Sequence, residues 1–280
     1  MAGRVEYSAV PRLHRLWIAA ALVTLGAAGV TAPLGAQTDY YNTSAGRPLR
    51  IEDAQPIEFR AIEFDVAPLR LERVRAGSYR WAVHPEVGVG VLPRTQVQLG
   101  IPLAYVDAPA RRERGLAGIE LSVLHSLNAE TSIPGLALAG DLFMPAGALA
   151  GDEIYATLRG IVTRTLPWAR FHINAEMTAG SEPVAEDGAT DEAAHVDASR
   201  WLVGISADKP FPLRSLLVGA EVFAEQPIVE SASVGWSAGA GARYQLSPRW
   251  AIDAGVGRRF AGDARTWYAT FGSAFVIGVP

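Results

Sequence analysis

The sequence predicts an all-β protein, an antiparallel transmembrane β-barrel of about twelve strands with both termini on the periplasmic side. Three observations carry that expectation. Apolar and polar residues alternate over segments of about ten residues, connections tend to alternate between short and long, and aromatic residues sit at both ends of the apolar rows. In RFHINAEMTA, Phe171, Ile173, Ala175, Met177 and Ala179 alternate with His172, Asn174, Glu176 and Thr178. Successive side chains of a strand point to opposite faces, so one face here is apolar and the other hydrogen-bonding and ionisable.

The chain of 280 residues begins with Arg4, Arg12, His14 and Arg15 ahead of an apolar run from Leu16 to Val30, followed by TAPLGAQ. A basic start, an apolar run and a small-residue exit describe a secretory signal peptide over residues 1–36, cleaved after Ala36. The alternative is an N-terminal anchor, for which the run is short against the ~20 residues of a membrane span. Removing residues 1–36 takes three Arg and one Glu, and the remaining 22 basic and 28 acidic residues move the formal charge from −4 to −6. An acidic mature chain is a poor partner for nucleic acid. The absence of Cys excludes disulfides, thiolate metal sites and Cys nucleophiles. Residues 37–61 mix charge, Pro and aromatics without a period and read as an irregular periplasmic lead-in that could occlude the barrel mouth. The barrel is assigned to residues 62–280.

The strands follow in order, each with one apolar row. After a less regular strand near Asp65 to Val74 come Tyr79, Trp81, Val83, Val87, Val89 and Val91, then Val97, Leu99, Ile101, Leu103 and Tyr105. Ile119, Leu121 and Val123 form the next row, then Leu136, Leu138, Leu142 and Met144, then Ile154, Ala156, Leu158 and Val162. The RFHINAEMTA strand precedes Trp201 to Ala207, Leu216 to Ala224 and Val234 to Tyr244. Trp250 to Val256 and Trp267 to Ile277 complete the set. Across the eleven cleaner strands the apolar rows carry charge only at strand tips, where Arg164 and Arg258 sit. Alternation also suits a soluble β-sandwich with its apolar face turned to a core. Strands of about ten residues tilted near 40° match an apolar band ~25 Å tall, whereas many sandwich strands are nearer five or six. Short links such as Leu92 to Arg94 and Leu166 to Trp168 take turns with longer ones, Asp107 to Gly115 and Gly180 to Ala198 among them.

With the apolar rows toward lipid, the opposite faces line a lumen. They carry Arg80, Glu86, Glu120, Asp141, Arg159, His172, Asn174, Glu176, Glu221, Arg243, Asp253 and Arg259. As a set these residues could create a field that selects solutes. Individually they read first as the ion pairs and hydrogen bonds that rigidify a narrow barrel.

The segments GLAGIELSVLHSL, PGLALAGDLFMPAG, RFHINAEMTAG, LLVGAEVFAE and AIDAGVGRRF occur in an order that resembles the meta-pathway phenol-degradation family of outer-membrane β-barrel transporters. The resemblance runs from Tyr79 to the C-terminus. It implies a barrel of about twelve strands that passes small, often aromatic or apolar, solutes, and it supplies no catalytic set.

The expected function is passive passage of small solutes through a polar lumen in the bacterial outer membrane, with no covalent step, cofactor or metal. Expected partners are outer-membrane lipid and lipopolysaccharide, small-molecule solutes and the barrel-assembly machinery. One alternative is a structural or adhesive barrel with a packed lumen. Another is a lipid-modifying barrel enzyme built on His172, although no Ser lies two residues from it. The acidic run from Glu182 to Asp197 offers oxygen ligands for Ca²⁺ without a recognisable spacing, and reads as a solvated outer loop. Arg111, Arg112 and Arg114 are read in another outer loop, where they could meet anionic lipopolysaccharide.

Overall fold

The structure is a computed structural model that describes residues 43, 47–75, 78–108, 111–150, 152–180, 199–228, 233–262 and 265–278. The proposed signal peptide and the acidic run from Glu182 to Asp197 lie outside the described residues. The strands are β1 (Ala61–Arg75), β2 (Ser78–Val83), β3 (Glu86–Leu92), β4 (Thr95–Gly100), β5 (Leu103–Ala108), β6 (Arg111–Leu116), β7 (Ile119–Asn128) and β8 (Gly135–Met144). They continue with β9 (Tyr155–Thr165), β10 (Arg170–Ala179), β11 (Ser199–Pro210), β12 (Leu216–Pro227), β13 (Gly235–Ser247), β14 (Trp250–Ala261) and β15 (Trp267–Gly278). Antiparallel pairing runs through the sheet and closes between β15 and β1, from Ala61 opposite Gly278 to Arg73 opposite Trp267. Among the described residues closure leaves β6, which pairs with β5 alone, as the one strand with an open side, so the remainder meets the condition for a sheet to stand in hydrocarbon.

The fifteen strands make a barrel of twelve staves, because three pairs (β2 with β3, β4 with β5, β6 with β7) are each one stave interrupted for two residues. The interruptions fall at His84–Pro85, Ile101–Pro102 and Ala117–Gly118, side by side across three neighbours. Pro85 and Pro102 have no N–H to give the ladder. Their carbonyls instead accept from the Ile101 N–H at 3.0 Å and the Ala117 N–H at 2.8 Å, which carries pairing across the break. Gly118 has φ +132°, and the Phe143 ring occupies the space a side chain there would take.

One expectation needs correction, and one irregularity finds its cause. The Asp107 to Gly115 stretch is not a long outer loop: β5 and β6 continue through most of it and pair from Leu103–Leu116 to Ala108–Arg111. Arg112 therefore stands on a strand, its guanidinium 2.8 Å from Asp107. The irregularity sensed near Asp65 to Val74 is a register shift between Val66 and Leu69, which breaks the two-residue period against β15.

The outward rows form the expected apolar surface, with Leu158 63% and Met177 69% exposed. Aromatic residues edge it: Trp168 and Phe171 meet edge-on at 4.9 Å, and the Trp250 indole N–H donates to Ser273 at 2.6 Å. Arg164 and Arg258, charged residues at the ends of these rows, are partnered at the rims. Arg258 lies over the Trp267 ring at 5.2 Å, and Arg164 reaches the Thr131 carbonyl at 2.7 Å.

Candidate functional site

The polar faces of the staves enclose a lumen, and residues 47–59 lie inside it. This stretch forms no strand of its own, only isolated bridges at Arg47 and at Phe59, the latter with Gly90. It makes a circuit of the wall. Arg47 meets β1 and β14, Pro48 lies on β13 to β15, Leu49 and Arg50 on β12, and Ile51 on β11. Glu52 then meets β10 and β9, Ala54 β9, and Ile57 and Phe59 β4 and β3, before the chain enters β1.

A main chain inside a barrel must find its hydrogen bonds from the wall. The Glu221 carboxylate accepts the N–H groups of Arg50 at 2.6 Å and Ile51 at 2.9 Å. Asn174 accepts the Glu52 N–H at 3.0 Å and donates to the Glu52 carbonyl at 2.9 Å. The Thr163 hydroxyl accepts from Ala54 at 2.9 Å, and the Gln96 amide oxygen accepts from Ile57 at 2.7 Å. Apolar contacts fill the intervals. Ile51 packs with Leu202 and Phe223, Ala54 with Leu124, Ala137, Ala139 and Ile161, and Ile57 with Ala61 and Val276.

The wall gives this belt room by lacking side chains beneath it. Gly219, Gly241 and Gly255 stand opposite one another on β12, β13 and β14. A β-carbon on Gly241 would sit 2.7 Å from Pro48 Cβ, and one on Gly219 would sit 3.0 Å from Leu49 Cδ1. These glycines allow the close approach of one backbone to another.

Of the twelve predicted residues, Arg159, His172, Asn174, Glu176, Glu221, Arg243 and Asp253 are buried and Arg80, Glu86, Glu120, Asp141 and Arg259 half-buried, and the belt connects several of them. Arg159 pairs with Asp141, Glu176 and the belt residue Glu52, while Arg50 reaches Glu176 at 3.2 Å. Arg243 and Asp253 face each other in the ladder, and Asp253 also meets Arg47. Glu221 holds the belt and receives the Tyr268 hydroxyl at 3.4 Å. Arg80 pairs with Glu72, and Arg259 with Glu225. Glu86 and Glu120 flank His84 at 3.5 Å each. Burial holds the Glu52 and Asp53 carboxyls above the ordinary carboxylate range, against the opposite pull of Arg159 and Arg170.

The sequence reading missed Arg47, Arg50, Glu52 and Asp53 because an aperiodic stretch carries no sign of where it packs. It missed Glu63 and Asp65, both buried, because the β1 register shift obscured their face. A usable signal was present in the inward glycines, which leave lumen space that something must fill.

His172 has the connectivity of a catalytic base, with Nδ1 3.0 Å from the Thr163 hydroxyl and Nε2 3.0 Å from Asp208. Arg170 also binds the Asp208 carboxylate at 2.9 Å. The His172 side chain is 1% exposed and Thr163 is engaged by the belt, so the docked belt closes this set off. Its chemistry is that of a structural polar network. Among the described residues no cluster of three metal-ligating side chains occurs.

No protein-family model and no curated protein matches the chain. Solved structures do. The COG4313 outer membrane channel from Pseudomonas putida F1 aligns with a TM-score of 0.57 at 11% identity, covering 80% of this chain and 98% of that one. The KdgM porin aligns at 0.49 and 11% identity over 77% and 98%. The NanC porin aligns at 0.48 and 5% over 76% and 98%. At 11% identity the likeness to the first of these is one of fold: a closed antiparallel β-barrel.

Proposed function

We propose that the chain is an outer-membrane channel for passive passage of small solutes, whose lumen is narrowed by residues 47–58 acting as a gate. The observation that carries this reading is the belt itself. It lies inside a polar lumen yet is joined to the wall by side-chain hydrogen bonds and ion pairs rather than by a strand ladder. Such a segment can leave without unzipping the barrel. The outward apolar band and aromatic rims support a place in the outer membrane of a Gram-negative bacterium, reached through the barrel-assembly machinery. The meta-pathway resemblance favours aromatic or apolar solutes. In this reading Arg111, Arg112 and Arg114 on β6 meet anionic groups of lipopolysaccharide. No enzymatic step is assigned.

One observation favours a second reading: the ion pairs linking belt to wall also fill the lumen, as a structural barrel with a packed interior would require. Single-channel conductance of residues 37–280 in a planar bilayer separates the two. The channel reading expects openings whose ion selectivity changes in Glu176→Gln and Glu221→Gln, and larger openings when residues 47–58 are replaced by a Gly-Ser linker of equal length. A linker variant that still resists unfolding in detergent but never conducts would leave the structural barrel as the answer.

A further inference from the structure

Arg47 fills a preformed notch. Its guanidinium lies over Gly272, where a β-carbon would come within 2.9 Å of the guanidinium carbon. It pairs with carboxylates from the strands on either side, Asp65 of β1 and Asp253 of β14, the latter at 3.3 Å. β15 carries Gly272 between those strands, and Asp253 stands directly opposite Gly272 in the ladder. The notch therefore has a glycine floor and two carboxylate walls.

Both carboxylates are almost fully buried, and Glu63 adds a third acidic side chain two residues from Asp65. Arg243, opposite Asp253, is the wall's own cation at this place. The second oxygen of Asp253, Oδ1, is buried and has no hydrogen-bond partner among the described residues. A buried carboxylate oxygen is rarely left without a donor. A planar cation with several N–H groups matches such a site in charge and geometry.

We propose that this notch is a binding site for small solutes bearing a guanidinium or ammonium group, and that they open the channel by taking the place of Arg47. The inference rests on residues 47–58 being the constriction. Exchange of one cation for another keeps Asp65 and Asp253 paired, so it avoids leaving a buried charge uncompensated. A solute that binds only the vacated notch, present at ~100 times its dissociation constant, shifts the equilibrium toward the undocked belt about 100-fold.

The test is chemical complementation in planar bilayers with residues 37–280, using ethylguanidinium chloride against sodium chloride at equal ionic strength. Arg47→Ala should open about tenfold or more often than the wild type, since it strips a buried ion pair of its cation. Ethylguanidinium should open the wild type and close Arg47→Ala, because in the variant it restores the missing cation beneath a docked belt. Gly272→Ala, which fills the floor without changing charge, should open like Arg47→Ala and ignore the probe. If Arg47→Ala opens but the probe changes neither protein, Arg47 is an internal latch only and the binding site is refuted, while the channel reading stands. If Arg47→Ala conducts like the wild type, the constriction reading fails. Calorimetric titration of Arg47→Ala with ethylguanidinium then judges the site alone, and absence of binding overturns it.

Discussion

Gly255→Ala separates the belt from the barrel, because the added methyl acts on the two with opposite sign. On the wall, Gly255 lies inside β14, and replacing Gly by Ala within a strand stabilises it by roughly 0.5–1 kcal/mol. On the belt side the same β-carbon would fall 3.3 Å from the Pro48 carbonyl carbon and closer still to its oxygen. It would also come within 2.8 Å of the Thr270 hydroxyl, which donates to that oxygen at 3.3 Å. Backbone cannot swing aside as a long side chain can, so the overpacking cost of about 1–3 kcal/mol falls on belt docking. That corresponds to a ~5- to 140-fold larger undocked population. Two assays read the two effects. Trypsin cleavage after Arg50 in the folded protein reports the undocked population when cleavage is slow relative to redocking. Heat-dependent mobility in detergent gels reports the barrel. The expected result is faster cleavage at Arg50 with unchanged or raised barrel stability. Wild-type cleavage together with a lower unfolding temperature would show that the wall absorbs the methyl, and would refute the placement of Pro48 over Gly255.

Arg159→Met leaves Glu52, Asp141 and Glu176 without their shared cation, and should cost about 3–5 kcal/mol, read as earlier thermal unfolding and faster cleavage at Arg50. A neutral outcome would mean that the cluster is solvated rather than sealed by the belt. His172→Ala removes the partner of Thr163 and Asp208 and should lower stability by about 1–3 kcal/mol while leaving phospholipid hydrolysis at the wild-type background. A hydrolytic activity that disappears with His172 would restore the enzyme reading.

The barrel and its two faces were legible without coordinates, because the two-residue period of a strand is local. Each stave carries its own inward and outward assignment, as RFHINAEMTA does, so Arg159, His172, Asn174 and Glu176 could be set on the polar face one strand at a time. The aromatic rims are likewise a property of single segments. Where the period fails, the sequence was silent or misleading. The register shift in β1 hid Glu63 and Asp65, and the run of Arg beyond Asp107 read as a loop although β5 and β6 pair through it. Side-by-side interruptions at His84–Pro85, Ile101–Pro102 and Ala117–Gly118 become visible only once register sets three distant segments next to one another.

The belt is the clearest case of what the tertiary structure alone decided. Arg47, Arg50, Glu52 and Asp53 have no periodic relation to one another, and their positions are set by partners drawn from staves throughout the chain. Local alternation determined that the lumen would be polar. Which carboxylate meets which guanidinium, and that the chain's own N-terminal stretch occupies the space, depend on closing the sheet. Only closure brings Asp65 of the first stave and Asp253 of the eleventh to either side of Gly272.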